Sequence, residues 1–131
     1  MTTLSAKGTI LASIENNIDD YMELVQTMYD NPEIGNEEFE TMALLVNYLD
    51  QAGFKTTSGY VVPTGFIGEY DTGKAGPTIA VMCEYDALPE VGHGCGHNLI
   101  AGIGIATGEA VKAVIDQFGG KLLVVGTPAE E

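Results

Sequence analysis

Apolar residues recur at helical spacing from about Thr9 to Asp30: Ile10, Ile14, Ile18, Met22, Val25 and Met28 with Tyr29. A repeat of three to four residues predicts an amphipathic helix. Asn31-Pro32 ends it, because the residue before a proline is pushed out of the helical region. Asn36 then offers an N-cap for a second helix. Phe39, Met42, Ala43, Leu45, Val46 and Leu49 form its apolar face, and it runs to Ala52 with Gly53 as its stop. Glu37, Glu38 and Glu40 fall in the predicted first turn, where the helix dipole favours acids.

The pattern changes after Gly53. Phe54–Thr57 and Gly65–Tyr70 read as short strands, separated from the next apolar run by the turn residues of Asp71-Thr72-Gly73 and Lys74–Pro77. That run, Thr78–Cys83, is continuous, the kind expected of a strand buried on both faces. Leu99–Phe118 predicts a third helix with Asn98 as N-cap and Gly119-Gly120 as stop. Ala101, Gly102, Gly104, Ala106 and Gly108 suit it to close packing on a sheet, though its glycines lower its intrinsic propensity. Lys121–Val125 is a second fully apolar strand.

Strand, loop, helix, strand is a crossover unit, and such units join parallel strands in the right-handed sense. The chemical consequence is direct. Glu84-Tyr85-Asp86 follows one strand and Thr127-Pro128-Ala129-Glu130-Glu131 follows the other. Parallel strands deliver both tails to the same carboxyl edge, where open α/β sheets hold their sites.

Composition narrows the class. The 131 residues make one small domain, and a hydrophobic fraction of 45% suffices for a core. No apolar run reaches the length of a membrane-spanning helix, so none is expected, and the N-terminus does not show the pattern of a signal peptide. A net charge of −14, from 19 acids against 5 bases, repels nucleic acid phosphates and anionic membranes. Two cysteines, Cys83 and Cys95, are too few for a disulfide scaffold, so a reducing cytoplasm is the expected compartment. Cys83 closes an apolar run and reads as a small buried hydrophobe.

Cys95 has no core to fill. It stands in Gly92-His93-Gly94-Cys95-Gly96-His97-Asn98. Cys95 and His97 are two apart, so in an extended backbone both donors reach one ion or two neighbouring ions. Gly94 and Gly96 let the backbone bend close around a charge. Thiolate, imidazole and carboxylate together suit zinc, with manganese, cobalt or nickel as alternatives. The following helix N-terminus favours the thiolate form of Cys95. No Cys-x-x-Cys is present, which speaks against a structural zinc knuckle. His93 is read as loop structure or outer support rather than as a ligand.

Glu130-Glu131 is a carboxylate pair with unequal roles, since adjacent residues in extended chain point in opposite directions. One can bind metal while the other faces a water and takes its proton, a service worth about 10²–10⁴-fold in rate. Asp86 is placed to orient the site histidine through its other ring nitrogen. Glu84, two residues before it on the same face, is left open between a ligand and a solvated strand end. Asn31-Pro32-Glu33-Ile34-Gly35 reads only as a turn between helices.

Cys83-Glu84-Tyr85-Asp86-Ala87-Leu88-Pro89, Gly92–Asn98 and Gly126-Thr127-Pro128-Ala129-Glu130-Glu131, in that order, resemble the amidohydrolase branch of the aminoacylase/carboxypeptidase metallopeptidase family. Asn31–Gly35 with Glu37-Glu38 is similar to the branch's N-terminal signature. The resemblance implies an α/β fold, a three-layer α/β/α mixed sheet of the zinc-peptidase type. It implies hydrolysis of the amide bond of an N-acyl amino acid or dipeptide with one or two divalent ions. By position Cys95, His97 and Glu131 would be metal ligands, Glu130 the general base and Asp86 an orienting catalytic acid. A homo-oligomer is also implied. The family completes its centre with two further histidines and carries an inserted lid or dimerisation domain. Residues 1–131 would therefore be the N-terminal portion of the catalytic domain, with turnover belonging to a longer parent. The competing expectation is a non-catalytic fragment that serves as a binding or interaction module, its unpaired sheet edge prone to self-association.

Overall fold

The computed structural model describes residues 5–131. The chain runs α1 (Ala6–Asp30), α2 (Phe39–Gln51), β1 (Lys55–Ser58), β2 (Phe66–Asp71), β3 (Thr78–Cys83), α3 (His97–Ile115) and β4 (Lys121–Gly126). The elements match the periodicity reading to within a few residues. The four strands form one mixed sheet in the order β1-β2-β4-β3. The pair β3–β4 is parallel, with Thr78 opposite Lys121 and Cys83 opposite Gly126. β2 is antiparallel to both β1 and β4.

α1 starts where the Ser5 hydroxyl accepts the Gly8 N–H at 3.1 Å. It stops at Asn31, whose side chain donates to the Thr27 carbonyl at 2.9 Å. Tyr21, Leu24 and Met28 are its buried stripe.

Register fixes which face of the sheet is covered. Val124 lies opposite both Gly68 and Val81, so these share a face with Leu122 and Cys83. Side chains within reach of a Cβ at Gly68 include Leu49 of α2, and those at Gly104 and Gly108 of α3 include Cys83 and Val124. Both helices therefore pack on that one face, and α1 lies against α3. Among the described residues they supply one helical layer. Tyr85, Phe66, Leu45, Leu49, Ile105, Leu122, Val124 and Cys83 fill the core between helices and sheet.

Four expectations are corrected. The second helix begins two residues late for an Asn36 cap: Asn36 takes a left-handed φ of 69° in the preceding turn. The first turn is capped instead by Glu33, whose carboxylate accepts the N–H groups of Glu40 (3.2 Å) and Thr41 (2.6 Å). Glu37 and Glu38 consequently precede the helix rather than charging its first turn. The third helix is capped by Gly96, not Asn98; Gly96 is left-handed at φ 76°, a conformation glycine adopts without Cβ strain. The Asn98 amide instead donates to the Val25 carbonyl at 3.2 Å and ties α3 to α1. Finally, among the described residues β3 lies at the edge of the sheet and is not covered on both faces, with Ile79 43% and Met82 60% exposed. By length and composition α3 could span a bilayer, but half of it is buried inside the fold, as in a core helix.

Candidate metal centre

The parallel β3–β4 pair sends both following segments to the same edge. Thr127 is fixed there at once, its N–H donating to the Cys83 carbonyl at 2.8 Å. The loop from Leu88 to Gly96 is compact. Leu88 and Gly92 exchange backbone hydrogen bonds at 2.9 and 3.0 Å, and the N–H groups of Leu99 and Ile100 return to the Gly96 carbonyl. Gly96 thus turns the chain straight into α3, and His97 becomes its first residue, buried against the strand ends.

His97 is the hub. Its Nδ1 lies 2.8 Å from Asp86 Oδ1, and both side chains are buried. On the other side of the ring, Nε2 is 3.2 Å from Glu84 Oε1 and 3.5 Å from Glu131 Oε1. Burial lowers the imidazole's proton affinity, but the hydrogen bond and charge of Asp86 outweigh it, so its pKa sits above the ordinary histidine value. For Asp86 burial pushes upward. The backbone N–H groups of Glu131 and Glu130, with His97, outweigh that and hold the carboxyl below its usual range. Asp86 Oδ2 accepts the Glu131 N–H at 3.0 Å. One carboxylate therefore anchors both the imidazole and the end of the tail.

Two donor groups result. One donor atom each from Cys95, His97 and Glu131 lie within 4.8 Å of one another, and so do donors from Glu84, His97 and Glu130. Cys95 is exposed, and a hydrogen bond to Glu131, with minor burial and the nearby carboxylates, pushes its thiol pKa up. Asp86 engages Nδ1, so Nε2 is the ring nitrogen that faces the carboxylates of Glu84 and Glu131, where an ion would take the place of a proton. A soft thiolate, a borderline imidazole and hard carboxylates converging on one point fit a borderline divalent ion.

The structure thus brings together Asp86, Cys95, His97, Glu130 and Glu131, and adds Glu84, whose spacing alone left it open. His93 stands apart. Among the described residues neither of its buried ring nitrogens has a hydrogen-bond partner, and the ring lines a separate cleft of about 450 Å³ with Tyr29, Pro32 and Val91. Burial, then the neighbouring His97, lowers its pKa. A second cleft of about 330 Å³ opens beside the donor cluster, lined by Ile34, Asn36, Asp86, Leu88 and Glu131.

Sequence reasoning missed the contact of Asn31–Gly35 with this site. Ile34 bridges Ala87 in parallel register, and the Ala87 N–H donates to the Glu33 carbonyl at 2.8 Å. Gly35 packs so closely on Ala129 that a Cβ there would lie 3.1 Å from the alanine methyl. Ala129 itself is left-handed at φ 53°, a conformation that costs a residue with a Cβ about 1–2 kcal/mol.

No protein-family model matches the chain. Individual relatives do. The chain is 35% identical over 121 residues to a mouse (Mus musculus) Xaa-Arg dipeptidase, matching 82% of this chain. It is 34% identical over 139 residues to one of the subunits of the Escherichia coli K12 p-aminobenzoyl-glutamate hydrolase, matching 91% of this chain. Over nearly its whole length the chain is similar to members of the aminoacylase/carboxypeptidase metallopeptidase family. It spans 28% of the length of each of those two relatives. Among solved structures, a putative aminohydrolase from methicillin-resistant Staphylococcus aureus superposes with a TM-score of 0.83 at 25% identity, covering 94% of this chain and 35% of that one. A Bacillus subtilis protein described as a dinuclear metal-binding peptidase of the M20 family shares the fold at a TM-score of 0.68 and 22% identity, over 86% of this chain and 35% of that one. The family fold is therefore the α/β, mixed-sheet class expected of this sequence, present as a partial domain.

Proposed function

We propose that this chain is the N-terminal part of the catalytic domain of a divalent-metal amidohydrolase or peptidase. In this reading Cys95, His97 and Glu131 are metal ligands, Glu130 is the general base and Asp86 orients His97. The observation that carries it is the convergence of the Cys95, His97 and Glu131 donors within 4.8 Å on a histidine backed by Asp86. The ion, one or two of zinc, manganese, cobalt or nickel, would supply an acidified water and a polarised amide carbonyl.

The chain's own residues do the rest. Asp86 keeps the Nδ1 proton of His97 in place and so presents Nε2 as a lone pair. Glu131 is anchored through its backbone N–H on Asp86, which leaves its carboxylate free to ligate. Cys95 surrenders a proton held in part by Glu131 when it ligates. Glu130, exposed beside Glu84 and His97, takes a proton from the attacking water. It returns that proton to the amine nitrogen as the C–N bond breaks. Glu84 Oε1, 3.2 Å from Nε2, is placed to ligate a second ion or to hold the water.

The relatives' names support the substrate class: an N-acyl amino acid or a dipeptide. A cytoplasmic location fits two free thiols, and assembly of the whole protein into a homo-oligomer is part of the same reading. Metal analysis of the whole protein, with hydrolysis assays on N-acyl amino acids and dipeptides, tests it. Turnover that falls about 10²–10⁴-fold in Glu130→Gln at unchanged metal content is the expected result. A whole protein that binds no divalent ion, or is indifferent to Glu130→Gln, would leave only a binding module.

A further inference from the structure

Three backbone N–H groups fix the tail that carries Glu130 and Glu131, at alternate residues. Thr127 donates to the Cys83 carbonyl and Glu131 to Asp86, both within the sheet-edge site itself. The middle one, Ala129, donates at 2.7 Å to Glu38 Oε2, from a residue 91 positions earlier in the chain. Glu38 is 0% exposed, and among the described residues no cationic side chain pairs with it. A buried carboxylate without a counter-ion is costly, so its position calls for an explanation beyond packing.

Its surroundings aim it at the tail. The Thr64 hydroxyl donates to Oε1 at 3.3 Å, and Thr64 is held in turn by the Tyr85 hydroxyl on its carbonyl. Tyr85 stacks on Phe66 at the sheet end. The carboxylate thus has one oxygen fixed by the core and the other presented to Ala129. That N–H belongs to the one left-handed residue of the tail, immediately before Glu130. Gly35, three residues ahead of Glu38, gives Ala129 the room to sit there.

We propose that Glu38 is a positioning residue: by accepting the Ala129 N–H it holds the left-handed turn that sets Glu130 and Glu131 in front of His97. The inference rests on the metal-centre reading for its purpose but not for its geometry. Glu38 touches neither substrate nor ion. It acts through the backbone, and the Asn31–Gly35 turn is the other half of the same clamp.

The test uses the whole protein, wild type against Glu38→Ala and Glu38→Gln. The first readout is amide hydrogen exchange at Ala129 and Glu131 in metal-free protein. Glu38→Ala is expected to lose about tenfold or more of the protection at both amides while α3 and β4 keep theirs. Glu38→Gln, which retains an acceptor oxygen, should restore it. The second readout is cobalt(II) titration followed by absorbance, where Glu38→Ala should weaken binding by about 10–100-fold. Unchanged protection in a folded Glu38→Ala protein overturns the inference. If wild type binds no cobalt, the metal reading fails, and the exchange data still decide the positioning role. Should Glu38→Ala not fold, Thr64→Val replaces it. That variant frees Oε1, and reduced Ala129 protection supports the clamp while wild-type protection refutes it.

Discussion

Asp86 touches both sides of the candidate site at once: Oδ1 meets His97 Nδ1 at 2.8 Å, and Oδ2 accepts the Glu131 N–H at 3.0 Å. Removing the carboxylate therefore releases a ligand ring and a ligand backbone together. Asp86→Ala should lower divalent-metal affinity by about 10–100-fold, the usual effect of deleting a partner behind a ligand. Asp86→Asn should do less, since its amide oxygen can still accept the Nδ1 proton. Isothermal titration with zinc measures both, and equal affinity in Asp86→Ala and wild type would refute the role.

The two thiols should behave oppositely. Cys83 is fully buried, and burial pushes its pKa up to about 12. Cys95 is exposed, with a thiol held protonated chiefly by its hydrogen bond to Glu131. In native protein at pH 8, a thiol reagent should modify Cys95 slowly and leave Cys83 untouched, because the thiolate is the reactive form. Denaturant should expose Cys83. Saturating zinc should protect Cys95, and labelling of Cys95 at the same rate with and without zinc would argue against its ligation.

The site and the fold were not equally legible. α1 could be read because Ile10, Ile14, Ile18, Met22, Val25 and Met28 recur at helical spacing, but its buried stripe is Tyr21, Leu24 and Met28, while Ile18 and Met22 are 46% and 52% exposed. The parallel pairing of β3 and β4 followed from the length of the crossover, and with it the meeting of Asp86, Cys95, His97, Glu130 and Glu131. What the sequence hid was non-local. An apolar run such as Thr78–Cys83 looks the same at the centre of a sheet as at the edge that it occupies among the described residues. Asn36 has the right chemistry for a cap, but Glu33 caps α2 through a contact between side chain and distant backbone. Glu37 and Glu38 read as acids in the first turn of a helix, favoured there by its dipole. Only the packing of Thr64, Tyr85 and Ala129 around one of them makes Glu38 buried. Such contacts join residues from 7 to 91 positions apart and leave no periodic trace.

Alkaline stability should report on a half-buried carboxylate cluster between the helices. Tyr21 and Tyr48 both donate to Glu109 Oε1, at 2.5 and 2.7 Å, and join α1, α2 and α3. Burial first, then Glu109, raises both phenols well above the ordinary tyrosine value of 10.0. A raised folded-state pKa means the neutral phenols contribute their full stability below pH 10. That contribution is lost as the pH climbs above 10 toward the raised values. Denaturant midpoints should hold steady to about pH 10 and fall beyond it. Tyr48→Phe should flatten that fall. A midpoint independent of pH in this range would show the clasp does not form.

The glycines of α3 make the sharpest packing prediction. Gly104 faces Cys83 so closely that a Cβ there would overlap Sγ, with the Met82 carbonyl 3.2 Å away. Alanine favours a helix over glycine by about 1 kcal/mol, so on propensity alone Gly104→Ala should stabilise. The contact reverses the sign: overpacking costs about 1–3 kcal/mol, which equals or exceeds the gain. Gly104→Ala should therefore be neutral to destabilising in urea unfolding. Cys83→Ala removes the sulfur and should create room for the new methyl. The double variant is then expected to be more stable than the sum of the two single changes, by a coupling of about 0.5–3 kcal/mol. Strict additivity would mean that α3 does not pack on the end of β3 at this distance, and the placement of His97 at the start of the same helix would lose its support.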